Sequence, residues 1–483
     1  MQAFDLKSDC FKNAVRSMER RAERQIYEEK LVKCFVPNKV LEELDTNQNQ
    51  LVFGRRGVGK THTLKAYLGT KANSGELCHY LDCTAFGSGL GAEGSSKNIG
   101  IRFFSKLLLH LSDELLEDTI LTERPDPGLH DDLENILARL SNLAVPQSGG
   151  ETFNYLELIR LTNQFLDRFG AERLVILIDE WAQIPKLAQP FFAEFLKRSV
   201  FSNPRVTTKV GVVEYTYKLH DRVDDQVIGL ERSADIFADV RMDRFFVWDE
   251  DQEFVERFFA EVLFNHLTID LSMYLDMIAN DKWDIILNQI FTQRRVLSEL
   301  CRACEGNARD FLVLFGKAYA IFRQQTSHQK IGLDDVHVAA IDLYQGDKYS
   351  NISSEKPLED FLDHLVHSII KDKKSRTFMV PYQSRNHPLL SRLFSARILH
   401  PLNVEWSHPH NPGERYGLIT MDYGTYASFR GTKSEPDQKV FWPTDDPETA
   451  TKDDLVPLDD RRSIRRIVVD KSVLDDFWAR MSG

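Results

Sequence analysis

The chain has 483 residues, of which 42% are hydrophobic and 28% are charged. This composition excludes an intrinsically disordered protein, and the length predicts about two to four domains. The formal net charge of -12 excludes a protein that is basic over its whole surface, although nine basic and only three acidic residues lie between Lys373 and Lys433.

Three features of the sequence indicate where in the cell the protein is located. The first residues, MQAFDLKSDC, contain no apolar core of a signal peptide. The most apolar runs, such as Leu174–Ile178, are too short to span a bilayer. Six cysteines in so long a chain do not indicate a disulfide framework. We therefore expect a cytoplasmic protein that does not associate with membranes.

The first half of the chain alternates between predicted helices and predicted strands. Residues 1–50 form a charged helical lead-in, and an apolar strand follows it. The predicted strands are 51–53, 77–83, 173–179, 209–215 and 244–248. Continuous apolar strands separated by helices are typical of a parallel sheet that is covered on both faces. We therefore predict an α/β core over residues 51–248.

The second half of the chain is predicted to be mainly helical. Helical patterns fill residues 249–345, and a polar linker follows them. Residues 357–430 show a helix, a short strand, a second helix and a hairpin, with the hairpin tip at 406–415. Residues 431–483 form a C-terminal tail. We therefore predict a separate helical domain and a smaller mixed module after the α/β core.

One glycine-rich segment fits the pattern G-x-x-x-x-G-K-[ST] at every fixed position, Gly54-Arg55-Arg56-Gly57-Val58-Gly59-Lys60-Thr61. A hydrophobic strand precedes it and a helix follows it. In such a loop the backbone N–H groups and the helix N-terminus bind phosphate groups. We expect Lys60 to contact the β- and γ-phosphates of ATP and Thr61 to bind Mg²⁺, with His62 also in the nucleotide-binding segment.

A second motif lies at the end of the strand Leu174–Ile178, where Asp179 and Glu180 follow directly. A hydrophobic strand that ends in two acidic residues is the Walker B pattern. We expect Asp179 to hold Mg²⁺ through its water shell and Glu180 to polarise the attacking water. Together with the glycine-rich loop, this pattern predicts an ATPase.

A third motif, Gly306-Asn307-Ala308-Arg309, opens a helix in the helical domain. It resembles the sensor 2 signature, G-[DN]-x-R, of replication-initiator AAA+ ATPases. The order of phosphate loop, Walker B strand, this motif and a basic C-terminal module is similar to that of the origin-recognition branch of AAA+ proteins, over residues 30–430. In detail the chain resembles bacterial relatives of that branch, some of which belong to mobile-element or phage-defence systems.

The resemblance implies an AAA+ P-loop core with a parallel sheet, an α-helical lid and a C-terminal winged-helix-like module. It places the strand 209–215 between the phosphate-loop strand and the Walker B strand, and it places Arg309 at the γ-phosphate as a catalytic residue. The sensor expected at the end of strand 209–215 is Asn, Ser or Thr, but this chain has Glu214 and Thr216 there. No sensor residue is therefore assigned.

The resemblance also implies contacts with partners. An arginine acting in trans within a homo-oligomer would be Arg222, Arg232 or Arg241. In the winged-helix-like module, the residues expected to contact DNA or a partner protein are Arg385, Arg392, Arg397 and Arg415. Three functions stay open: a DNA-associated ATPase switch, a signalling ATPase that assembles and gates an effector partner, and a nucleotide-binding scaffold with little turnover.

Overall fold

A computed structural model of the chain describes most of the sequence. The described residues are 5–18, 28–71, 75–87, 95–121, 127–145, 153–232, 234–236, 238–246, 248, 251–275, 286–407, 415–429 and 467–480. The helices are α1 Asp9–Met18, α2 Glu28–Cys34, α3 Lys39–Leu44, α4 Lys60–Lys71, α5 Ser96–Leu121, α6 Pro127–Leu143, α7 Tyr155–Phe169, α8 Gln189–Leu196, α9 Gln252–Leu275, α10 Arg294–Ala303, α11 Ala308–Gln324, α12 Leu333–Leu343, α13 Lys356–Leu365, α14 Pro388–Ser395 and α15 Lys471–Ala479. The strands are β1 Gln50–Phe53, β2 Leu77–Asp82, β3 Leu174–Asp179, β4 Val206–Val212, β5 His220–Val223, β6 Gln226–Gly229, β7 Ala238–Arg241, β8 Thr377–Pro381, β9 Leu399–Ser407 and β10 Arg415–Met421.

The chain packs into two compact units. The α/β unit consists of Pro37–Arg55 and Lys60–Met242, and the helical unit consists of Met1–Val36, Arg56–Gly59 and Asp243–Gly483. None of the helices in the described ranges is both long enough and apolar enough to cross a membrane.

The α/β unit is built on a parallel five-stranded sheet in the order β2-β3-β4-β1-β7. Every residue of β3 and β4 is buried. Burial on both faces explains the apolar run of β3, whereas β4 also buries Thr207, Thr208 and Lys209. The sheet confirms the predicted α/β class. It also confirms that β4 lies between the phosphate-loop strand β1 and the Walker B strand β3. Because all five strands are parallel, the loops that follow β1, β3 and β4 leave the same edge of the sheet.

The predicted strand at 244–248 is wrong, because the fifth strand is β7, which ends at Arg241, and a short 3-10 turn follows it at Met242–Arg244. The aromatic run after this turn packs in the helical unit instead. The ring of Phe246 lies 4.3 Å from that of Phe258 and 6.3 Å from that of Phe259, measured between centroids. Burial in an aromatic cluster, and not strand pairing, therefore accounts for the apolar sequence there.

The helical unit holds helices α1 and α2 as well as the predicted helical domain. Helix α1 buries Phe11 and Val15, and the Phe11 ring lies 5.3 Å from that of Tyr319 on α11. The hydroxyl of Tyr319 donates to the carbonyl of Leu6 over 2.7 Å. Helix α1 of the predicted lead-in is thus packed against a helix that follows the α/β unit in sequence, whereas residues 37–50 of the lead-in belong to the α/β unit.

The C-terminal part of the helical unit contains the predicted order of helix, strand, helix and hairpin. Helix α13 precedes β8, α14 follows it, and β9 and β10 pair as a hairpin. The three strands form an antiparallel sheet in the order β8-β10-β9. Residues 408–414 of the predicted hairpin tip and residues 431–466 of the predicted tail lie outside the described residues.

Candidate phosphate and magnesium site

The phosphate loop leaves the end of β1 and leads into α4. In the α/β unit, the Lys60 ammonium group donates to the carbonyl of Gly54 over 2.7 Å and to that of Arg55 over 3.3 Å. Lys60 is 8% exposed and lies in the first turn of α4, beside Thr61 and His62. The loop therefore holds a positive charge and a helix N-terminus at one place, and both favour an anion.

Thr61 and Asp179 meet although they are 118 residues apart in sequence. The Thr61 hydroxyl donates to Oδ2 of Asp179 over 2.6 Å, and Asp179 is fully buried. The neighbouring strand makes room for this carboxylate, since a Cβ atom at Gly211 of β4 would lie 2.6 Å from Oδ1 of Asp179. The structure thus brings together the two residues that were predicted to hold Mg²⁺.

Glu180 follows Asp179 in a strained backbone conformation. Its φ is 54°, in the left-handed region, and its N–H donates to Oδ1 of Asp179 over 2.8 Å. A non-glycine residue in that region costs about 1–3 kcal/mol, and such strain is concentrated at functional sites. The side chain of Glu180 is half-buried at the carboxyl edge of the sheet.

Tyr80 on β2 is a member of this site that the sequence did not indicate. Its hydroxyl donates to Oδ2 of Asp179 over 3.0 Å. Burial raises the pKa of the Tyr80 phenol well above its usual value, and the charge of Asp179 raises it further. The phenol therefore keeps its proton and acts as a donor. No motif marks Tyr80, because only the pairing of β2 with β3 places it beside Asp179.

Within the helical unit, the segment Arg56–Gly59 contacts the predicted lid motif. The Asn307 side-chain amide donates to the carbonyl of Arg56 over 2.7 Å, and the N–H of Arg309 donates to the carbonyl of Gly57 over 3.0 Å. Gly57 has a φ of 89°, and a Cβ there would lie 2.5 Å from Oδ1 of Asn307. Glycine is therefore required at this position by both backbone conformation and space.

The other end of the lid motif is joined to the C-terminal part of the same unit. Glu305 is ion-paired over 2.8 Å with Arg376, the residue that directly precedes β8, and both side chains are 7% exposed. Asp310 is ion-paired with Lys348 over 2.9 Å and with Arg397. Within residues 305–310, Asn307 and the backbone N–H of Arg309 thus contact the phosphate-loop segment. The side chains of Glu305 and Asp310 contact the C-terminal elements.

At the end of β4, where a sensor was expected, the structure places an ion pair. The Glu214 carboxylate is 3.2 Å from the Arg241 guanidinium group, and Glu214 is 7% exposed. The guanidinium group of Arg241 lies 4.9 Å from the centre of the ring of Phe53, the residue that directly precedes the phosphate loop. The Thr216 hydroxyl donates instead to the carbonyl of Val213 over 2.9 Å.

The three arginines considered for action in trans differ in their surroundings. Arg241 is paired with Glu214, and Arg232 is paired with Asp239 over 3.1 Å. Arg222 lies on the exposed hairpin formed by β5 and β6, and within the described ranges its side chain has no ion-pair partner. The three arginines therefore differ in whether an acidic side chain already pairs with the guanidinium group.

The four arginines predicted to contact DNA or a partner are also unequal. Arg397 is turned inward to Asp310 and Asp347, so the structure does not favour it as a surface contact. Arg385 lies over the Tyr382 ring and donates to its hydroxyl over 2.8 Å. Arg392 is 43% exposed and ion-paired with Glu355, and Arg415 is exposed at the start of β10.

The residues of the α/β unit suit Mg²⁺ bound together with a nucleotide. Thr61 offers a hydroxyl and Asp179 a carboxylate, and both are hard oxygen ligands of the kind that Mg²⁺ prefers. Mg²⁺ usually takes one or two carboxylates and completes its shell with water and substrate phosphates. The described ranges contain no group of three or more His, Cys, Asp or Glu residues that could hold a metal ion.

No protein-family model matches the sequence, and no curated protein matches it either. Among solved structures, the chain is similar to a single-residue variant of RuvB from Thermotoga maritima, with 9% sequence identity and a TM-score of 0.31. The match covers 68% of this chain and 72% of that chain. Such a TM-score describes a loose likeness, so the function proposed below depends on the topology and the side-chain geometry.

Proposed function

We propose that the chain is an ATP-binding and ATP-hydrolysing switch of the AAA+ type. The observation that carries this proposal is the 2.6 Å hydrogen bond between Thr61, in the first turn after the phosphate loop, and Asp179 at the end of β3. The strand order supports it, because one strand lies between those that carry the two motifs, as the AAA+ resemblance implied.

In this function each residue has a separate task. Lys60 would contact the β- and γ-phosphates, while Thr61 and Asp179 would hold Mg²⁺. Bound Mg²⁺ neutralises charge that develops on the phosphate oxygens. Glu180 orients and polarises the attacking water.

Residues 305–310 support the proposal that the protein is a switch and not only an ATPase. Asn307 and the N–H of Arg309 contact the phosphate-loop segment, whereas Glu305 and Asp310 are ion-paired with residues near β8 and α14. A shift of the phosphate-loop segment on nucleotide binding would therefore be passed to the C-terminal elements through one short segment. Arg309 would add a contact that depends on the γ-phosphate.

The direct test of hydrolysis is the Glu180→Gln variant. It should bind ATP as tightly as the parent, because the phosphate and Mg²⁺ ligands are retained, and it should lose turnover by about a hundredfold or more. Phosphate release and ATP binding are measured on the same preparations. Glu172→Gln removes an exposed acidic group from the same unit and is the matched control. Turnover in Glu180→Gln equal to that of the control would remove Glu180 as the catalytic residue.

A homo-oligomer is proposed in which Arg222 of one subunit reaches the phosphates bound by its neighbour. Arg222→Ala should then abolish turnover without weakening ATP binding. Adding Lys60→Ala protein, which keeps Arg222, should restore activity to Arg222→Ala protein, because each variant supplies what the other lacks. Lack of restoration, although mixed oligomers form, would rule out action in trans.

The C-terminal part of the helical unit is proposed to engage DNA or a partner protein. Its three-stranded sheet and helix α14 carry the exposed residues Arg392 and Arg415. If DNA is bound, replacing both with Ala should weaken duplex binding and reduce the slope of log affinity against log salt by about one to two. The control is the double replacement of the exposed Arg257 and Arg295, which changes the net charge equally.

Two outcomes would favour the alternative functions. If the intact protein has no DNA affinity even at low salt, with or without ATP, a partner-docking role is favoured, as in a signalling ATPase that gates an effector. If the protein binds ATP but shows no turnover under any of these conditions, it is a nucleotide-binding scaffold.

A further inference from the structure

Asp179 has few acceptor positions left for the water shell of a metal ion. A carboxylate offers about four lone-pair positions. The structure fills three of them: Oδ2 accepts from the hydroxyls of Thr61 and Tyr80, and Oδ1 accepts from the N–H of Glu180. The remaining position is on Oδ1, so the orientation of the carboxylate decides whether it faces a metal-bound water.

Tyr80 is well placed to fix that orientation. It lies on β2, the strand next to β3, and therefore approaches Asp179 from the side opposite to Gly211 on β4. The ammonium group of Lys65 lies 5.1 Å from the centre of the Tyr80 ring, which keeps the ring in contact with α4. The phenol is thus held between two elements that carry the site.

We propose that Tyr80 is a positioning residue for magnesium: its hydroxyl holds the Asp179 carboxylate in the orientation that binds the Mg²⁺ of the ATP complex. This proposal depends on the proposed ATPase function, because it assigns a role within the same site. Groups that orient a metal-binding carboxylate typically change metal affinity by about 10–100-fold when they are removed. The Tyr80 hydroxyl donates to Asp179, so we expect its removal to change the Mg²⁺ dependence of ATP binding and to leave the Mg²⁺-independent part of ATP binding intact.

The test is the Tyr80→Phe variant, which removes one oxygen atom and retains the ring. ATP binding is measured by calorimetry over a series of MgCl₂ concentrations and in EDTA, in a Glu180→Gln background so that ATP is not consumed. The Mg²⁺ concentration at half-maximal enhancement should rise about tenfold, while ATP affinity in EDTA stays the same. Tyr67→Phe is the control, since Tyr67 is a buried tyrosine of the same unit on α4.

The outcomes separate the two proposals. If the background protein binds ATP with Mg²⁺ and Tyr80→Phe shows the same Mg²⁺ dependence, the role of Tyr80 is refuted and the ATP site remains. If Tyr80→Phe loses ATP affinity equally in EDTA and in Mg²⁺, Tyr80 is structural and the proposal is again refuted. If the background protein itself does not bind ATP, the proposed function fails. A melting temperature close to that of Tyr67→Phe shows that the variant is folded.

Discussion

The hydroxyl of Thr61 donates to the carboxylate of Asp179 over 2.6 Å, and this contact joins the phosphate loop to the Walker B strand. A carboxylate that is fully buried needs such donors, because an unpaired charge out of water costs several kcal/mol. The site therefore has a stable arrangement in the protein itself, and Mg²⁺ with a nucleotide would bind to oxygen atoms that are already close together.

Replacing Gly211 tests whether the Asp179 carboxylate needs the space that the missing side chain of Gly211 leaves beside it. A Cβ atom at this position would lie 2.6 Å from Oδ1 of Asp179, so Gly211→Ala should displace the carboxylate. We expect Mg²⁺-dependent ATP affinity to fall by about tenfold, as for other changes that reorient a metal ligand. Gly346→Ala is the control, since a Cβ there meets no atom within 4 Å. Unchanged Mg²⁺ dependence in Gly211→Ala would mean that Asp179 does not bind the metal.

Arg309 tests whether the lid motif detects the γ-phosphate. Arg309→Ala should lower the rate of ATP hydrolysis by about a hundredfold and weaken ADP binding by less than about twofold, because ADP lacks the γ-phosphate. The measurements are steady-state turnover and calorimetry with ADP. If the ATP hydrolysis rate and the ADP affinity fell by the same factor, Arg309 would have only a structural role.

Lys348 tests the buried ion pairs that join the lid motif to the C-terminal elements. Its ammonium group lies 2.9 Å from Asp310 and 2.6 Å from Asp422, and its side chain is 2% exposed. Burial alone would lower the pKa of Lys348, but these two carboxylates raise it above its usual value. Lys348→Met leaves both carboxylates without this partner, and we expect it to lower the free energy of unfolding by about 3–5 kcal/mol.

The matched control for Lys348 is Lys317→Met, which breaks a surface pair with Asp342. Solvent screens that pair, so the free energy of unfolding should fall by less than about 1 kcal/mol. Urea denaturation measures both variants. If Lys348→Met lowered the free energy of unfolding as little as Lys317→Met, the buried ion pairs would contribute little to joining the lid motif to the C-terminal elements.

The sequence predicted the parts of the fold that local patterns specify. The phosphate loop and Asp179 follow apolar strands, and neighbouring residues suffice to define those strands. Tyr80 was not predicted, because its contact with Asp179 depends on the register between two strands. The inward position of Arg397 was also missed, since its partners Asp310 and Asp347 are 87 and 50 residues away in sequence. Strand β7 was misplaced because its short sequence, ADVR, is less apolar than the aromatic run that follows it.

His79 gives the α/β unit a dependence on pH. Burial alone would lower its pKa, but hydrogen bonds and ion pairs with Asp118 and Glu114 outweigh burial and raise the pKa to about 9. A histidine whose pKa is higher in the folded state stabilises the fold fully below its unfolded value of about 6.5. This contribution is lost as the pH rises through about 9.

The expected loss for the parent between pH 6.5 and 9.5 is about 2 kcal/mol, after allowance for solvent screening of the two partly exposed carboxylates. His79→Gln should be less stable at pH 6.5 and should lack this slope. The measurement is urea denaturation across the pH series. His130→Gln, which changes a surface histidine on α6, is the control and should retain the slope of the parent. A slope in His79→Gln equal to that of the parent would exclude His79 as its source.

The most direct measurement of the central claim is calorimetric binding of ATP in saturating Mg²⁺ to the parent and to Lys60→Ala. Lys60 is the only lysine of the phosphate loop, and its ammonium group lies at the carbonyls of Gly54 and Arg55. If Lys60 donates to the β- and γ-phosphates as proposed, loss of these charged hydrogen bonds should weaken ATP binding by about a hundredfold or more, or about 3 kcal/mol. The account predicts tight binding by the parent and weak or no binding by the variant. Equal affinities in the two proteins would contradict it.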